Sequence, residues 1–385
     1  MTRRICVVLT TRGNYAKMKS TMSRLANDAR VALQVVAGGA VLDCSYGDHS
    51  KAIEADGFKI AARLDYIESG KTLQSVTESA ARCTSAMGRI LAHLQPDWLM
   101  VVADRYEALS IAQSGLCQNV RIAHLEGGET SGSIDERIRH AISKLAHLHF
   151  PSNEDAALRL RKLGEPAEAI HVVGTPSLDI LAGVDLSDRS APAARLARAG
   201  EGREVDLDDD YIVISQHPVV TEYADAARQF AETAAAVREL GLPAVWILPN
   251  DDAGADAVKA PLDEVMTDPA APPIRAIGSM PFTEYAALLM GARCLLGNSS
   301  SGVRESAFLG VPVVNIGTRQ NGRCIRSRNV VSVGYDAGAI AQAARRQIAH
   351  GRYPSDTIFG DGHAGERIAA VIAETWPPLD KTIVY

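Results

Sequence analysis

The sequence predicts an α/β chain built from two doubly wound domains, and three observations carry that expectation. Short, fully apolar, β-branched runs alternate with helically spaced patterns along nearly the whole chain. The length of 385 residues exceeds what one core organises, since a domain takes about 150 residues. The composition, 46% hydrophobic and 22% charged, is that of an ordinary globular protein. It excludes a largely disordered chain, a collagen and a polytopic membrane protein.

The elements follow in order. Arg4–Leu9 is a continuous apolar run ended by Thr10-Thr11-Arg12-Gly13, after which Met18, Met22 and Leu25 recur at helical spacing and predict a helix over Tyr15–Ala26. A strand at Leu33–Ala37 and a helix near His49–Ala55 come next, then a long helix near Leu73–Leu94. Strand Asp97–Val102, helix Glu107–Leu116 and strand Arg121–Leu125 continue the alternation. They are followed by helix Asp135–Ala146, strand Leu148–Phe150, helix Glu154–Leu163 and strand Ile170–Val173. Runs apolar at every position read as parallel strands covered on both faces, because a half-exposed strand alternates with polar residues.

Between about Val184 and Asp210 the composition shifts to Ala, Arg, Gly, Pro and Asp, which predicts a linker. A second series follows, with strands near Tyr211–Ser215, Ala244–Leu248, Arg293–Leu296, Pro312–Ile316 and Asn329–Val333. Its helices fit Tyr223–Leu240, Phe282–Gly291, Val303–Leu309 and Ala337–Ala349. The expected organisation is a first domain over residues 1–184, a linker over 185–210 and a second domain over 211–362. A last helix and tail, 363–385, return to the first domain. Ligands of such sheets sit outside the carboxyl ends of the strands.

The formal charge is −6, from 40 basic and 46 acidic side chains, which argues against a nucleic-acid surface but leaves small anions open. Six cysteines without zinc or redox spacing read as thiols in a reducing compartment. The run Ile5–Leu9 is too short for a signal segment, and no stretch approaches the roughly 18–20 apolar residues that span a bilayer. A cytoplasmic protein without membrane or nucleic-acid partners is expected.

Three groups of residues carry chemistry. Gly297-Asn298-Ser299-Ser300-Ser301-Gly302 lies between a strand and a predicted helix opening at Val303. Small residues, hydroxyls and a helix N-terminus suit a phosphate, and Arg319, Arg323 and Arg326 follow the next strand. The competing reading is a serine-rich helix cap. The loop is not a P-loop, because no Gly-Lys-Ser/Thr ending follows. Acids crowd the ends of two first-domain strands, in Asp104-Arg105-Tyr106-Glu107 and in His124-Leu125-Glu126-Gly127-Gly128-Glu129, with Asp135 and Glu136 at a helix start. Crowded carboxylates have their pKa values pushed apart, which suits acid/base work. Taken singly, each also reads as a cap or turn residue, and magnesium is a rival use weakened by the absence of a D-x-D arrangement. His217 and Arg12 each follow a strand and can meet a ligand at a sheet edge. No metal site and no dinucleotide glycine pattern is present, so no cofactor is expected.

Taken in order, several stretches resemble the hydrolysing UDP-N-acetylglucosamine 2-epimerases, including the epimerase half of the animal bifunctional epimerase/kinase. They are Thr11-Arg12-Gly13-Asn14-Tyr15, Asp104–Ala108, His124–Glu129 with Gly132–Glu136, Ile138–Ala141 with Lys144–His147, Gln216-His217-Pro218, and Pro249–Gly254. Gly297–Glu305, Asn315–Gln320 and Phe359–Gly362 complete the set, which spans almost the whole chain. The resemblance implies two Rossmann-like domains in a GT-B-like fold, with the site in the interdomain cleft. It implies that Ser299, Ser300, Arg319 and His217 contact a diphosphate, with Arg12 reaching from the first domain. Glu305 would bind the ribose, Met280 to Phe282 would lie beside uracil, and Arg105 and Asn250 would complete the nucleotide set. Asp104, Glu126 and Asp135 would transfer protons at the sugar, supported by Arg139. The implied reaction is elimination of UDP to a glycal and hydration to free N-acetylmannosamine, feeding sialic-acid-like sugars, by a homodimer. Asn14 and Ala103 stand where many relatives carry Asp and Gly. That departure keeps a 2,4-diacetamido-trideoxyhexose nucleotide open as substrate. A GT-B-type glycosyltransferase and a non-catalytic nucleotide-sugar binder are the readings from other classes.

Overall fold

The computed structural model of the chain describes residues 2–42, 49–69, 72–102, 105–130, 134–249, 255–278, 280–323 and 325–382, with the backbone alone at Arg12, Ile134, Val220 and Ala255. The chain divides into two compact units. The first comprises residues up to Thr130, Ile134–Ile180 and the chain from Gly360 onwards; the second comprises Leu181–Phe359.

In the first unit, β1 (Arg3–Leu9), β2 (Val31–Gly38), β3 (Ile60–Leu64), β4 (Trp98–Val102), β5 (Arg121–Leu125) and β6 (Leu148–Phe150) form a parallel sheet. The strand order is β3-β2-β1-β4-β5-β6. Its helices are α1 (Arg12–Ala26), α2 (His49–Ala55), α3 (Leu73–Leu94), α4 (Tyr106–Cys117), α5 (Ile134–Leu145) and α6 (Glu154–Lys162), followed by α7 (Ser177–Ala182). The two-residue period of a strand sends alternate side chains into opposite apolar layers. Ile5, Val7 and Leu9 enter one layer with Trp98, Met100 and Val102. Cys6 and Val8 enter the other with Leu99 and Val101. This is why these strands read as unbroken apolar runs.

The second sheet contains β7 (Glu201–Gly202), β8 (Ile212–Ser215), β9 (Ala244–Ile247), β10 (Ile274–Ile277), β11 (Cys294–Gly297), β12 (Val313–Ile316) and β13 (Val330–Val333). Their order is β13-β12-β11-β8-β9-β10-β7, parallel except for β7 against β10. Around it lie α8 (Ser190–Ala199), α9 (Ala226–Leu240), α10 (Lys259–Thr267), α11 (Phe282–Gly291), α12 (Glu305–Leu309) and α13 (Ala337–His350). Apart from β7 the two sheets share one strand order. The order reverses between β1 and β4 and between β8 and β11, the switch points beyond which such sheets bind ligands.

Several expectations need correction. Residues 185–210 hold α8 and β7, and Leu196 and Leu207 are buried in the second unit's core. The Ala/Arg composition there is that of a helix with a narrow apolar stripe. Residues 170–173 form only a single parallel bridge, His149 to Ile170, along the edge of β6. α1 begins at Arg12 because Thr11 caps it: the Thr11 hydroxyl accepts from the Asn14 N–H at 3.2 Å, and the Asn14 side chain accepts from the Thr11 N–H at 3.1 Å. α9 starts at Ala226, after a 3-10 turn over Val220–Asp225. No helix among the described residues is long and apolar enough to cross a membrane.

The last helix, α14 (Ala364–Glu374), belongs to the first unit and packs on α1. Asp179 of α7 fixes its start, accepting from the Ala364 and Gly365 N–H groups at 2.9 and 2.7 Å and from the Ser20 hydroxyl at 2.7 Å. Gly365 permits the approach: a Cβ there would lie 2.2 Å from Ser20 Oγ and 2.7 Å from the Thr21 backbone nitrogen.

Candidate active site

In the second unit the loops after β8, β11 and β12 meet on one asparagine. Gly297 closes β11 at φ +134°, and a Cβ there would lie 2.1 Å from the Ser215 carbonyl oxygen, so only glycine lets this turn lie against the end of β8. That carbonyl accepts the N–H groups of Asn298 and Ser299, both at 3.1 Å. The buried Asn298 side chain accepts from the His217 N–H at 2.7 Å and donates to the His217 carbonyl at 2.8 Å. Its own carbonyl accepts from Arg319 Nη1 at 3.0 Å and Gln320 Nε2 at 2.7 Å. Three strand ends are thereby held in one register, with His217, Ser299, Ser300 and Arg319 around them.

The serines divide their work. Ser299 Oγ caps a 3-10 turn over Ser300–Gly302, accepting from the Ser301 N–H at 3.4 Å. Ser301 Oγ bonds to Ser299 Oγ at 2.9 Å and to Tyr285 Oη at 2.8 Å. Arg304, buried, donates to Ser300 Oγ at 3.4 Å. The helix expected from Val303 opens at Glu305 and runs only to Leu309. A helix of barely more than one turn carries little macrodipole, so hydroxyls and guanidinium are the stronger anion donors here. Glu305 is buried at its first position. Met280 is buried in the core beside Ile277, Leu288 and Leu289, while Phe282 is half-buried at the start of α11.

In the first unit Glu126 follows β5 in the left-handed region, φ +59°, which is costly for a residue with a Cβ. Its N–H donates to the Phe150 carbonyl at 3.0 Å, and its buried carboxylate is ion-paired with Lys17 of α1. Lys17 was not legible as a partner in the sequence, because the pair spans 109 residues. Asp135 lies in the first turn of α5. One turn later, buried Arg139 donates to the Glu129 carbonyl at 2.7 Å. The Glu129 carboxylate in turn accepts from the Ser152 hydroxyl and from Asn153 Nδ2, the latter at 2.8 Å. Arg139 therefore shapes the loop after Glu126.

Arg105 stands at the N-cap of α4 and donates from Nε to the buried Glu107 carboxylate at 3.0 Å. The Thr10 hydroxyl donates to Asn14 Oδ1 at 2.8 Å and lies 3.3 Å from that carboxylate. Asn14 Oδ1 also accepts the Thr10 and Thr11 N–H groups at 3.2 and 3.1 Å, a duty that an aspartate oxygen performs equally. Asp104, Asn250 and the Arg12 side chain lie outside the described residues.

The family profile UDP-N-acetylglucosamine 2-epimerase matches residues 23–373. A relative from Neisseria meningitidis named UDP-N-acetylglucosamine 2-epimerase is 30% identical over 97% of this chain and 96% of its own. One from Legionella pneumophila named UDP-N,N'-diacetylbacillosamine 2-epimerase (hydrolyzing) is 31% identical over 95% of this chain and 94% of its own. Among solved structures, the UDP-GlcNAc 2-epimerase of Neisseria meningitidis bound to UDP-GlcNAc covers 97% of this chain and 100% of its own, with a TM-score of 0.80 at 15% identity. At that identity the likeness establishes the fold, a GT-B-like pair of Rossmann-like units. Profile and full-length relatives together place the chain in the UDP-N-acetylglucosamine 2-epimerase family.

Proposed function

We propose that the protein is a hydrolysing 2-epimerase that converts a UDP-2-acetamido sugar, UDP-N-acetylglucosamine foremost, to UDP and the free 2-epimer, N-acetylmannosamine. The observation that carries this reading is Glu126, a buried carboxylate held at the end of β5 in left-handed backbone with an ammonium against it. Support for hydrolysis comes from the Legionella relative, whose name states it and which is 31% identical over 95% of this chain.

The chemistry follows from the substrate. The hydrogen on C2 is weakly acidic, so a placed carboxylate must accept it as the bond breaks. The electron pair left on C2 forms the C1=C2 double bond, and the C1–O bond breaks with its pair leaving on UDP. Positive donors must meet that charge, the part given to Arg12, His217, Ser299, Ser300 and Arg319. Water then adds its oxygen to C1 and gives up a proton to a carboxylate, while a second acid returns a proton to the opposite face of C2. Asp104, Glu126 and Asp135 fill the proton-transfer roles, with Arg139 supporting. Glu305 holds the ribose, and Arg105 and Asn250 belong to the nucleotide set. The Met280 side chain is committed to the core, so uracil recognition falls to the 280–282 backbone and Phe282. The reading includes a cytoplasmic homodimer without a resident cofactor.

The Legionella relative favours one further substrate, a nucleotide-linked 2,4-diacetamido-trideoxyhexose. Both nucleotide sugars are to be incubated with the protein in heavy water and followed by NMR. Free UDP with a 2-epimer deuterated at C2 is the expected result, and the faster substrate identifies the sugar. An epimerised sugar still attached to UDP would convert the reading to the non-hydrolysing reaction. No UDP from either would end it. Alanine at Asp104, Glu126 or Asp135 is expected to lower turnover by at least ~100-fold.

A further inference from the structure

We propose that residues 375–382, which follow α14, act as a strap that positions α5 and with it Asp135, and that Lys381 is the positioning residue. The inference rests on the reading of Asp135 as a sugar-side acid.

An α-helix leaves its last carbonyls without intrahelical donors, and a glycine just past the end is the usual remedy. α5 ends at Leu145 and is followed by Ala146 and His147, with no glycine. The donor comes instead from the far end of the sequence. Lys381 Nζ donates to the carbonyls of Ser143, Lys144 and Ala146 at 3.0, 3.1 and 2.6 Å, and it is ion-paired with Glu165. The fully buried Glu165 carboxylate also receives Lys144 Nζ at 2.7 Å and His149 Nε2 at 2.9 Å. Two ammoniums and an imidazole around one buried carboxylate make the end of α5 a fixed point.

The rest of the strap is fastened to β5. Trp376 lies under the Arg121 guanidinium, 3.7 Å from the ring centroid, and Arg121 Nε donates to the Pro377 carbonyl at 2.7 Å. His147 Nδ1 accepts the Ile122 N–H at 3.1 Å, so its other nitrogen carries the proton and donates to the Leu379 carbonyl at 3.1 Å. The strap thus joins the start of β5 to the end of α5. The opposite ends of those two elements carry Glu126 and Asp135. At 1.5 Å per residue, the 12 residues of α5 make a rod of about 18 Å that moves as a unit. A shift at the capped end is delivered to Asp135, and misplacement of about 1 Å costs up to ~100-fold in rate.

The test uses the full chain with Lys381→Met, Lys381→Arg and Trp376→Ala, the last at a half-exposed side chain that leaves the core intact. Steady-state UDP release is measured together with amide hydrogen exchange across residues 134–146. Lys381→Met is expected to lower kcat ~10-fold with KM within about twofold, and to speed exchange along the whole of α5, its first turn included. Lys381→Arg, which can still donate to the carbonyls, restores kcat to within about threefold. Trp376→Ala moves both readouts the same way by less. Unchanged kcat with faster exchange confined to residues 143–146 would reduce the strap to a local cap and overturn the proposal. If the wild type releases no UDP, the functional reading fails by itself. Exchange then decides the strap alone: a response reaching the first turn supports it, and one limited to the last turn overturns it.

Discussion

Both hydrogen-bonding ends of the Asn298 side chain are spent on the backbone of His217, and its carbonyl is spent on Arg319 and Gln320. Asn298→Ala would remove both bonds to the part-buried His217 backbone, at about 1 kcal/mol for each bond lost. Asn298→Asp keeps the acceptor for the His217 N–H but turns an oxygen toward the His217 carbonyl where an N–H had donated. Both variants are expected to weaken UDP binding by at least ~10-fold, read by calorimetric titration, with Asp the more damaging because it adds a buried charge. UDP affinity equal to wild type in both would show that the clamp does not set the diphosphate loops. The sequence placed this loop at a strand end correctly, since fully apolar runs and a glycine are local signals. It did not reveal that Asn298 turns inward, nor that Lys17 meets Glu126, because both depend on where distant segments lie once folded. The left-handed backbone of Glu126 was equally hidden, since glutamate has no preference for it.

At the scale of elements, the central strands and long helices were legible because burial on both faces writes an uninterrupted pattern. The misread segments were those too short or too thinly apolar to write such a pattern. α8 has only a thin apolar stripe, residues 170–173 touch β6 at one bridge, and β7 is two residues long. The docking of α14 shows a dependence on one side chain. Its own N-cap residue, His363, makes no side-chain capping bond, and Asp179 supplies the acceptor from elsewhere in the chain. Asp179→Ala is therefore expected to cost about 1–2 kcal/mol, the value of a lost cap, seen as a lower urea midpoint. Gly365→Val should cost more, because its Cβ meets backbone at Thr21 as well as the Ser20 side chain. A midpoint unchanged in both would mean that α14 contributes nothing to the first unit's stability.

Across the whole molecule, the buried titratable cluster around Glu165 belongs to the first unit, and the described residues of the second hold no comparable carboxylate–imidazole–ammonium group. Its hydrogen bonds to His149, Lys144 and Lys381 outweigh the cost of burial and hold the Glu165 carboxyl down at about 2, against 4.5 unperturbed. Burial pushes His149 and His147 below the ordinary histidine value of 6.5. The signs agree. A lowered carboxyl contributes stability that is present above about 4.5 and lost as pH falls toward 2. A histidine kept neutral by burial contributes stability that is intact above 6.5 and lost below it, as the unfolded chain takes up the proton first. The slope is at most about 1.4 kcal/mol per pH unit for each such group. Acid should therefore open the first unit at a higher pH than the second. The three tryptophans allow a direct reading, since Trp98 and Trp376 lie in the first unit and Trp246 in the second. In a Trp246→Phe variant, fluorescence reports the first unit. In a Trp98→Phe, Trp376→Phe double variant, it reports the second. The first signal is expected to change at the higher pH, beginning below 6.5. Replacing Glu165 and His149 together by Gln and Phe should bring the two midpoints closer, because two of the three groups that titrate on unfolding are gone and only His147 remains. Coincident midpoints before that replacement would place the acid sensitivity outside the Glu165 cluster.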